Sequence, residues 1–548
     1  MKRIFAIIFT TSAAISCNFL QPDESVITGT EAQFSTFESV KKAATNVYSY
    51  LEDGLTSVEG TMRECATDDA VWALETCPLS TYYDGTWSAT QPIDDKWAYY
   101  YKAIAAANYF LENCPEDFSE DLYNDNYKEN LQQLKLYPYE VRFLRAYYHF
   151  ELLRRYGNIV IADRSFSGAE ANFMVQSSFV EVAGWIAGEC DEIARELPLN
   201  YKYTFYQEVG RVTKGAAMAL KARALLYAAS PLNNVSGDKD LYLKAAKAAC
   251  EIIKLGQYGL YNEQTVNNEA ARGLIFGIRR AEDSSFEKAN FPTGVEGSHK
   301  GINPSQNLVE AFDLQDGTPF DWNSGLHRSR MYATSYRDSR LARTVYFNGA
   351  KFKNIALETY YGGANGQPLE GATRTSYYLK KFIREDTEFL SNSISCTHLW
   401  PVFRYAEVML IYAEALFMAT GDKSFKGTLD GTNFMYSPLE AVNLVRNRSD
   451  VGKLPDSLTP GQFLERLKNE YRVEFAFEDH RYWDLRRWKD APEAVNVYGL
   501  SLVDPFFPDT ADKVLVRTSE WDDKMYYYPI PRAELYKNPK LKQNPGWE

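Results

Sequence analysis

Apolar residues recur at helical spacing along nine stretches of the chain. In each stretch they lie three or four positions apart, which is the pattern of a helix that buries one face. The predicted helices cover residues 37–51, 97–113, 139–156, 177–197, 211–229, 241–255, 403–420, 439–447 and 459–489. This pattern predicts a mostly α-helical protein.

The last of these stretches, residues 459–489, has the clearest start signal. Thr459 is a suitable N-cap, Pro460 suits the first helical position, and Gln462 completes a capping box. No Gly or Pro follows Gln462 within the stretch, so we predict one continuous helix. Two earlier helices have capping boxes of the same kind, formed by Ser35/Glu38 and Ser178/Glu181.

Carboxylates and arginines alternate within residues 459–489. Two pairs have a spacing of three residues, which allows ion pairs between turns of one helix: Glu478/Arg481 and Asp484/Arg487. An acid–base role for Glu474 and Glu478, with His480 beside them, is the alternative. Because arginines within a turn lower the pKa of a carboxyl group, we favour a structural charge network.

Paired helices with small residues at packing positions indicate a scaffold of the tetratricopeptide kind. We predict that this scaffold covers approximately residues 35–53, 96–257 and 403–490. The other stretches lack helical periodicity and are rich in turn-forming residues, which predicts long irregular insertions packed over one face of the scaffold. These insertions cover residues of about 54–95, 259–400 and 491–528, and short strands are expected at 274–278 and 377–383.

Composition points to an ordered protein. The chain has 548 residues, 45% of them hydrophobic, and no linker-like segment, so we predict a single domain at residues 17–548. The formal net charge of −13 argues against nucleic acid as a partner, because phosphates require a basic surface.

Residues 1–16 have the form of a bacterial lipoprotein signal peptide. Lys2 and Arg3 precede a short apolar segment, and small residues lead to Cys17. We predict cleavage before Cys17 and lipidation of that residue, which would anchor the chain in a membrane. An ordinary signal peptide followed by a chance cysteine is the alternative.

The other six cysteines have neither a CxxC nor another metal-binding spacing, and we predict no metal and no cofactor. A disulfide between Cys65 and Cys77 would be permitted outside the cell, but the sequence does not decide whether it forms. Cys190 and Cys250 lie within predicted helices, where buried thiols are expected.

Aromatic residues with polar neighbours are concentrated in the insertions. A flat ring can cover the apolar face of a sugar while nearby polar groups bond the sugar hydroxyls. The candidate ligand-binding residues are Trp72, Tyr82, Tyr83, Trp87, Phe291, Trp322 and the acid Asp69. We rank Trp72 and Trp322 first and expect them to lie close in space. The alternative for each aromatic is that it anchors its loop to the scaffold.

The sequence contains none of the common catalytic motifs: G-x-S-x-G, the P-loop, G-x-G-x-x-G after a strand, or H-E-x-x-H. A glycosidase needs two carboxylates beside a cleft, and the sequence singles out no such pair. We therefore predict a protein without catalytic residues.

Six blocks of sequence closely resemble the SusD/RagB family of nutrient-binding surface lipoproteins. They are RFLRAYYHFELLRRYGNIVI (142–161), RVTKGAAMALKARALLYAASPLNN (211–234), FRYAEVMLIYAEALFMATGD (403–422), LEAVNLVRNRSDV (439–451), VEFAFEDHRYWDLRRWK (473–489) and YYPIPRAELYKNPKLKQNPGW (527–547). The blocks keep the family's order and span nearly the whole chain. The resemblance implies a scaffold of helix pairs, as the periodicity does.

The resemblance also implies a function. Such a protein would sit on the outer membrane through its lipid, bind an oligosaccharide with its insertions, and pass it to a SusC-like TonB-dependent transporter. The resemblance supports the insertions containing Trp72 and Trp322 as binding regions without fixing individual residues. Two rival hypotheses are a lid that binds peptides or glycopeptides, and a secreted glycoside hydrolase.

Overall fold

Helices dominate the computed structural model, which describes residues 33–118, 121–261, 266–295, 297–298, 301–389 and 393–548. The predicted signal peptide and Cys17 lie outside these residues. The helices are α1 Phe37–Tyr48, α2 Trp97–Asn113, α3 Tyr127–Leu134, α4 Tyr137–Tyr156, α5 Gly168–Ala171, α6 Phe179–Glu196, α7 Lys214–Ala229, α8 Lys239–Lys254, α9 Ser285–Asn290, α10 Gln306–Ala311, α11 Gly325–Ser329, α12 Ser339–Thr344, α13 Tyr405–Thr420, α14 Pro438–Arg448, α15 Pro460–Glu474, α16 Arg481–Trp488 and α17 Arg532–Lys537.

The long helices stack in chain order, as expected for a scaffold of helix pairs. Helix α2 packs on α4, α4 on α6, α6 on α7, and α7 on α8. Helix α8 then packs on α13, although the second insertion separates them in sequence, and α13 packs on α14 and α15. Alanines on α7 and α8 are buried in these contacts, so the helix axes can approach closely. The mostly α-helical prediction is confirmed. None of the described helices combines the length and the apolar character that a bilayer crossing requires.

Short antiparallel strands lie mostly in the insertions. They are β1 Ala70–Trp72, β2 Leu274–Arg279, β3 Ile302–Pro304, β4 Val345–Tyr346, β5 Lys351–Phe352, β6 Ile355–Ala356, β7 Tyr378–Leu379, β8 Leu399–Arg404, β9 Gly427–Leu429, β10 Thr432–Phe434, β11 Asn496–Ser501 and β12 Asp512–Thr518. They form the pairs β1–β3, β2–β8, β4–β7, β5–β6, β9–β10 and β11–β12. The pair β9–β10 is the exception, because it lies between scaffold helices. The strand expected at 274–278 is confirmed, and the one expected at 377–383 is reduced to β7.

Helix starts agree with the capping signals in part. Thr459 and Gln462 form the predicted capping box of α15, and Ser178 forms that of α6 with its predicted partner. At α1 the prediction was wrong by one residue, because Thr36, not Ser35, is the N-cap and Ser39 closes the box. The shift places Phe37 at the first helical position, where it is buried.

The predicted continuous helix at 459–489 is wrong, because α15 ends at Glu474 and α16 begins at Arg481. Between them Phe477 and Asp479 have φ angles of 61° and 59°, in the left-handed region that residues other than Gly seldom occupy. Tertiary contacts hold this break. The Asp479 carboxylate accepts hydrogen bonds from Arg63 Nε at 2.8 Å and Trp483 Nε1 at 3.0 Å.

The break changes the ion pairs of the segment. The predicted pair of Glu478 and Arg481 is not formed. Glu478 pairs instead with Arg404 Nε at 2.6 Å and with Lys381 Nζ at 2.6 Å. The predicted pair of Asp484 and Arg487 is confirmed at 2.6 Å.

Glu474 lies in the same buried network. It accepts from Arg404 Nη1 at 2.7 Å and from Arg340 Nη1 at 3.0 Å, and it also pairs with Arg448. Burial alone would raise the pKa of Glu474, but Arg448, Arg404 and Arg340 hold it well below its ordinary value. The structural charge network preferred from the sequence is therefore confirmed, since an acid–base role needs a pKa nearer neutrality.

Candidate ligand-binding surface

Four of the predicted ligand-binding side chains are buried in the packing of the insertions. Trp87 packs on Trp547 with ring centroids 4.8 Å apart, and Phe291 packs on Phe352 at 4.8 Å. Tyr82 contacts the ring of Tyr482 edge-on. These three, together with Asp69, are at most 8% exposed, so they offer no stacking or hydrogen-bonding surface to a ligand in this structure. They fit the alternative role of loop anchors.

Asp69 and its neighbour Asp68 fasten the first insertion to the scaffold. Asp69 accepts from Arg472 Nε at 2.7 Å, and Asp68 accepts from both Arg472 and Arg481. Burial alone would raise the pKa of Asp68, but Arg472 and Arg481 lower it to about 2. These buried ion pairs make the two acids structural members of the loop.

Trp72 is half-buried at the end of strand β1. Its backbone pairs with Ile302 of β3, which fixes the register of the strand and places the residue at the rim of the first insertion. The Trp72 carbonyl oxygen lies 3.5 Å from Arg374 Nη1, while Arg374 Nη2 donates to the Val516 carbonyl oxygen of β12 at 3.1 Å. The same guanidinium pairs with the exposed carboxylate of Glu75 at 3.3 Å. Arg374 thus joins Trp72 to strand β12.

Tyr83 is also half-buried, next to strand β12. The guanidinium of Arg517 lies over its ring, 4.4 Å from the centroid, and donates to the carbonyl oxygens of Cys65 and Thr67. The Tyr83 hydroxyl lies 3.8 Å from Cys77 Sγ. Burial raises the pKa of Tyr83 to about 12, so the hydroxyl remains a hydrogen-bond donor at neutral pH.

The thiols of Cys65 and Cys77 are both free, so the disulfide that the sequence left open is not formed.

Trp322 is half-buried between two cations in the second insertion. The Arg328 guanidinium lies 5.5 Å from its ring centroid and the Lys513 ammonium lies 5.9 Å from it. Lys513 also lies 5.0 Å from the ring centroid of Tyr498, and it pairs with Glu310 at 2.9 Å. Lys513 therefore links Trp322 to the hairpin of β11 and β12.

Both top-ranked tryptophans are linked to one hairpin, Trp322 through Lys513 and Trp72 through Arg374. Their linking contacts on β12, at Lys513 and Val516, are three residues apart, or about 10 Å along a strand. The distance between the two rings remains a prediction. We call the half-buried side chains around this hairpin the hairpin surface, and it consists of Trp72, Tyr83, Trp322, Arg374, Tyr498 and Lys513.

The hairpin surface combines two chemical features that a sugar requires. Its rings supply flat apolar area for the C–H face of a pyranose, and its guanidinium and ammonium groups donate hydrogen bonds to hydroxyl oxygens. The exposed carboxylate of Glu75 adds an acceptor beside Arg374. Cation donors next to aromatic faces can hold a sugar in one orientation.

Sequence reasoning missed Arg374, Tyr498 and Lys513. Tyr498 and Lys513 lie in NVYGLS and DKVLVRT, where polar and apolar residues alternate as in a strand. This alternation indicates a hairpin, although both segments fall within the irregular insertion predicted at about 491–528. Arg374 had no local signal, because its role comes from residues more than 140 positions away in each direction.

Stacked helix pairs with long insertions define the class of fold, and the sequence comparisons identify the family of this chain. The chain belongs to the SusD family, whose model matches residues 260–547. A second family model, described as starch-binding and associating with the outer membrane, matches residues 19–226. The family resemblance found in the six sequence blocks is confirmed.

Individual relatives agree with the family assignment. The chain is 24% identical to a SusD-like protein of Formosa agariphila, covering 82% of this chain and 79% of the relative. It is 22% identical to the starch-binding protein SusD of Bacteroides thetaiotaomicron, covering 91% and 86%. The crystal structure of a SusD-like protein from Bacteroides fragilis superposes with a TM-score of 0.76 at 27% identity, covering 94% and 98%. A SusD-like carbohydrate-binding protein from the same species gives 0.72 at 25% identity, covering 93% and 99%.

Proposed function

We propose that this chain is a cell-surface glycan-binding lipoprotein. It captures oligosaccharides at the hairpin surface and delivers them to a SusC-like TonB-dependent transporter in the outer membrane. The hairpin surface is the observation that carries the proposal, because half-buried rings and cation donors meet there. Membership of a family described as starch-binding and associated with the outer membrane supports it.

Binding without hydrolysis fits the acids near the hairpin surface. Asp68 and Asp69 are buried and paired with arginines, and Glu310 pairs with Lys513. A glycosidase needs one carboxylic acid that keeps its proton until it donates it to the leaving group. Arg472 and Arg481 lower the pKa of Asp68, which opposes that role, while Asp69, whose pKa burial raises, is 0% exposed and offers no surface to a ligand. We infer a binding role for the surface and no catalytic one.

A screen of the purified chain against oligosaccharides and peptides tests the proposed ligand class. We expect calorimetric binding to an oligosaccharide, no binding to peptides, and no new reducing ends after long incubation. Binding to peptides alone would support a peptide lid instead. Reducing ends that disappear when one carboxylate is changed to its amide would support a hydrolase.

Anchoring through Cys17 is tested separately. We expect Cys17→Ala to move the protein from the membrane fraction to the soluble fraction, because one residue carries all the lipid. Cys114→Ala, which removes another half-buried cysteine, is the matched control and should stay with the membrane. A Cys17→Ala protein that still sediments with the outer membrane would refute the lipid anchor.

A further inference from the structure

Three potential metal ligands from distant parts of the chain meet in the second insertion. They are Glu287 on helix α9, and Cys396 and His398 on the segment that leads into strand β8. The donor atoms, one from each residue, all lie within 4.8 Å of one another. His398 Nε2 is 2.9 Å from Glu287 Oε1 and 4.0 Å from Cys396 Sγ.

The backbone explains why these side chains converge. Cys396 and His398 are two residues apart in an extended segment, so their side chains point to the same side. A bridge between Asp283 and Cys396, with both N–O distances 3.0 Å, holds this segment beside the residues that precede α9. Glu287 then faces the segment from the first turn of α9.

The cluster is closed to solvent. The side chains of Glu287 and His398 are 0% exposed, and Cys396 is 6% exposed. Two polar atoms there, Glu287 Oε2 and His398 Nδ1, have no hydrogen-bond partner among the described residues. A buried carboxylate oxygen without a partner destabilises a folded protein, so this arrangement is unfavourable as a purely structural contact.

Neighbouring groups hold two of the three ligand side chains, Cys396 and Glu287, by hydrogen bonds. Thr387 Oγ1 donates to Cys396 Sγ at 3.3 Å, and the Arg384 backbone N–H donates to Glu287 Oε1 at 3.1 Å. Such hydrogen bonds orient the side chains that bind a metal directly and stabilise their negative charge. The Cys396 thiol donates to the Asp283 carbonyl oxygen at 3.7 Å, which places a further oxygen atom beside the cluster.

We propose that Glu287, Cys396 and His398 bind one Zn²⁺ ion as a structural site. Sulfur, imidazole nitrogen and carboxylate oxygen suit Zn²⁺, whereas Ca²⁺ and Mg²⁺ require mostly oxygen ligands. The three side chains would supply three of the four ligands of a structural site, and the Asp283 carbonyl oxygen beside Cys396 is the candidate for the fourth. Tetrahedral bonds to Zn²⁺ separate ligand atoms by about 3.3–3.8 Å. The observed 2.9 and 4.0 Å lie on either side of that range, and no two of the three ligand atoms are more than 4.8 Å apart, so shifts of up to about 1 Å would bring them to tetrahedral separations.

Binding would release the thiol proton of Cys396 to solvent and form a Zn–S bond. Burial raises the pKa of this thiol to about 11, so in the absence of a cation it keeps its proton at neutral pH. The ion would join α9 to the start of β8, which runs directly into scaffold helix α13. The proposed glycan function does not depend on this site.

Cobalt titration of the chelator-treated chain tests the proposal, because Co²⁺ bound to a thiolate gives a charge-transfer band in the near ultraviolet. We expect about one Co²⁺ per chain, displacement of the band by Zn²⁺, and a rise in melting temperature with Zn²⁺. Cys396→Ser should abolish the band, and His398→Gln should weaken binding by about tenfold or more. Cys190→Ser, the same change at a buried cysteine on α6, is the matched control and should keep the band.

A second measurement covers variants that fail to fold. In the wild-type chain, Zn²⁺ should slow alkylation of Cys396 on partial unfolding while leaving the rate at Cys190 unchanged, as mapped by mass spectrometry. A wild-type chain with no thiolate band, a band that survives Cys396→Ser, or equal alkylation of Cys396 with and without Zn²⁺ would each overturn the site.

Discussion

At the scale of single residues, exposure separates the predicted aromatics into two groups. Trp72, Tyr83 and Trp322 are half-buried beside the β11–β12 hairpin, while Tyr82 and Trp87 are buried in the core. A sequence shows how much area a ring can bury but not which surface covers it. The same type of aromatic residue can anchor a loop or bind a ligand, so only the folded structure distinguishes the two roles.

Trp72→Ala and Trp322→Ala should each weaken oligosaccharide binding by about tenfold or more, which corresponds to about 1.4 kcal/mol. The reason is the loss of stacking area, worth on the order of 1–3 kcal/mol for a large side chain. Calorimetry with the glycan found in the screen measures the change, and thermal melting should shift little.

Trp87→Phe is the control for these variants. Because Trp87 packs on Trp547 and Tyr528, the change should lower the melting temperature and leave glycan affinity unaltered. Full affinity in both Trp72→Ala and Trp322→Ala would remove the hairpin surface as the binding site.

Glu64 should make folding stability depend on pH. Its buried carboxyl accepts from the Asp479 N–H at 2.7 Å, and burial, with the nearby Asp479 carboxylate, raises its pKa from 4.5 to about 8. Between these two values only the folded chain holds the proton. Rising pH therefore lowers the free energy of unfolding, by at most about 1.4 kcal/mol per pH unit from this group.

Denaturant unfolding at about pH 6 and about pH 8 measures this dependence. The wild-type chain should lose stability between the two values, whereas Glu64→Gln, which carries no proton to lose, should show a flatter profile. Asp484, whose pKa burial raises to about 6, acts mainly below this window and provides an internal comparison. Identical slopes in wild type and variant would contradict the role of Glu64.

At the scale of elements, the long helices followed from the sequence, but the break after α15 and the short helices, such as α3 and those in the insertions, did not. Periodicity and capping residues are local, so α2 at Trp97–Asn113 was predicted at both ends. The left-handed residue Asp479 is held by Arg63 and Glu64, more than 400 positions away. No short segment of the sequence contains both Asp479 and these partners, so local patterns could not predict the break. The same limit applies to Arg374, whose partners lie in three separate segments.

Glu478→Ala tests the network that holds the broken segment. Arg404 and Lys381 would lose a buried carboxylate partner, and we expect a cost of about 3–5 kcal/mol in stability with no change in glycan affinity of the folded protein. Chemical denaturation and calorimetry give the two quantities.

Lys426→Ala is the matched control for Glu478→Ala. It breaks an ion pair that is about half exposed and should cost at most about 1 kcal/mol. Equal losses in the two variants would mean that burial does not set the strength of the network. Lost glycan binding with unchanged stability would make Glu478 part of a site.

At the scale of the whole molecule, we propose that residues 17–548 fold as one unit. The main apolar cluster includes residues from Phe34 to Trp547 and contains side chains of the scaffold, the insertions and the C-terminal segment. Calorimetry of the purified chain should then show one cooperative transition. Two transitions that respond separately to Glu478→Ala would show that the insertions form a unit of their own.

The fastening of the first insertion has a consequence for the order of folding. Asp68 is paired with Arg481, 413 positions away, and Trp87 packs on Trp547. During synthesis, residues 54–95 leave the ribosome early and their contact partners leave it last. The loop therefore cannot form these contacts until nearly the whole chain is made. Contacts so distant in sequence slow folding. A stop codon at Trp547 would keep every described helix and the pairs of Asp68 and Asp69 with arginines, yet it would remove one of the two rings on which Trp87 packs and so weaken the attachment of the loop that presents Trp72.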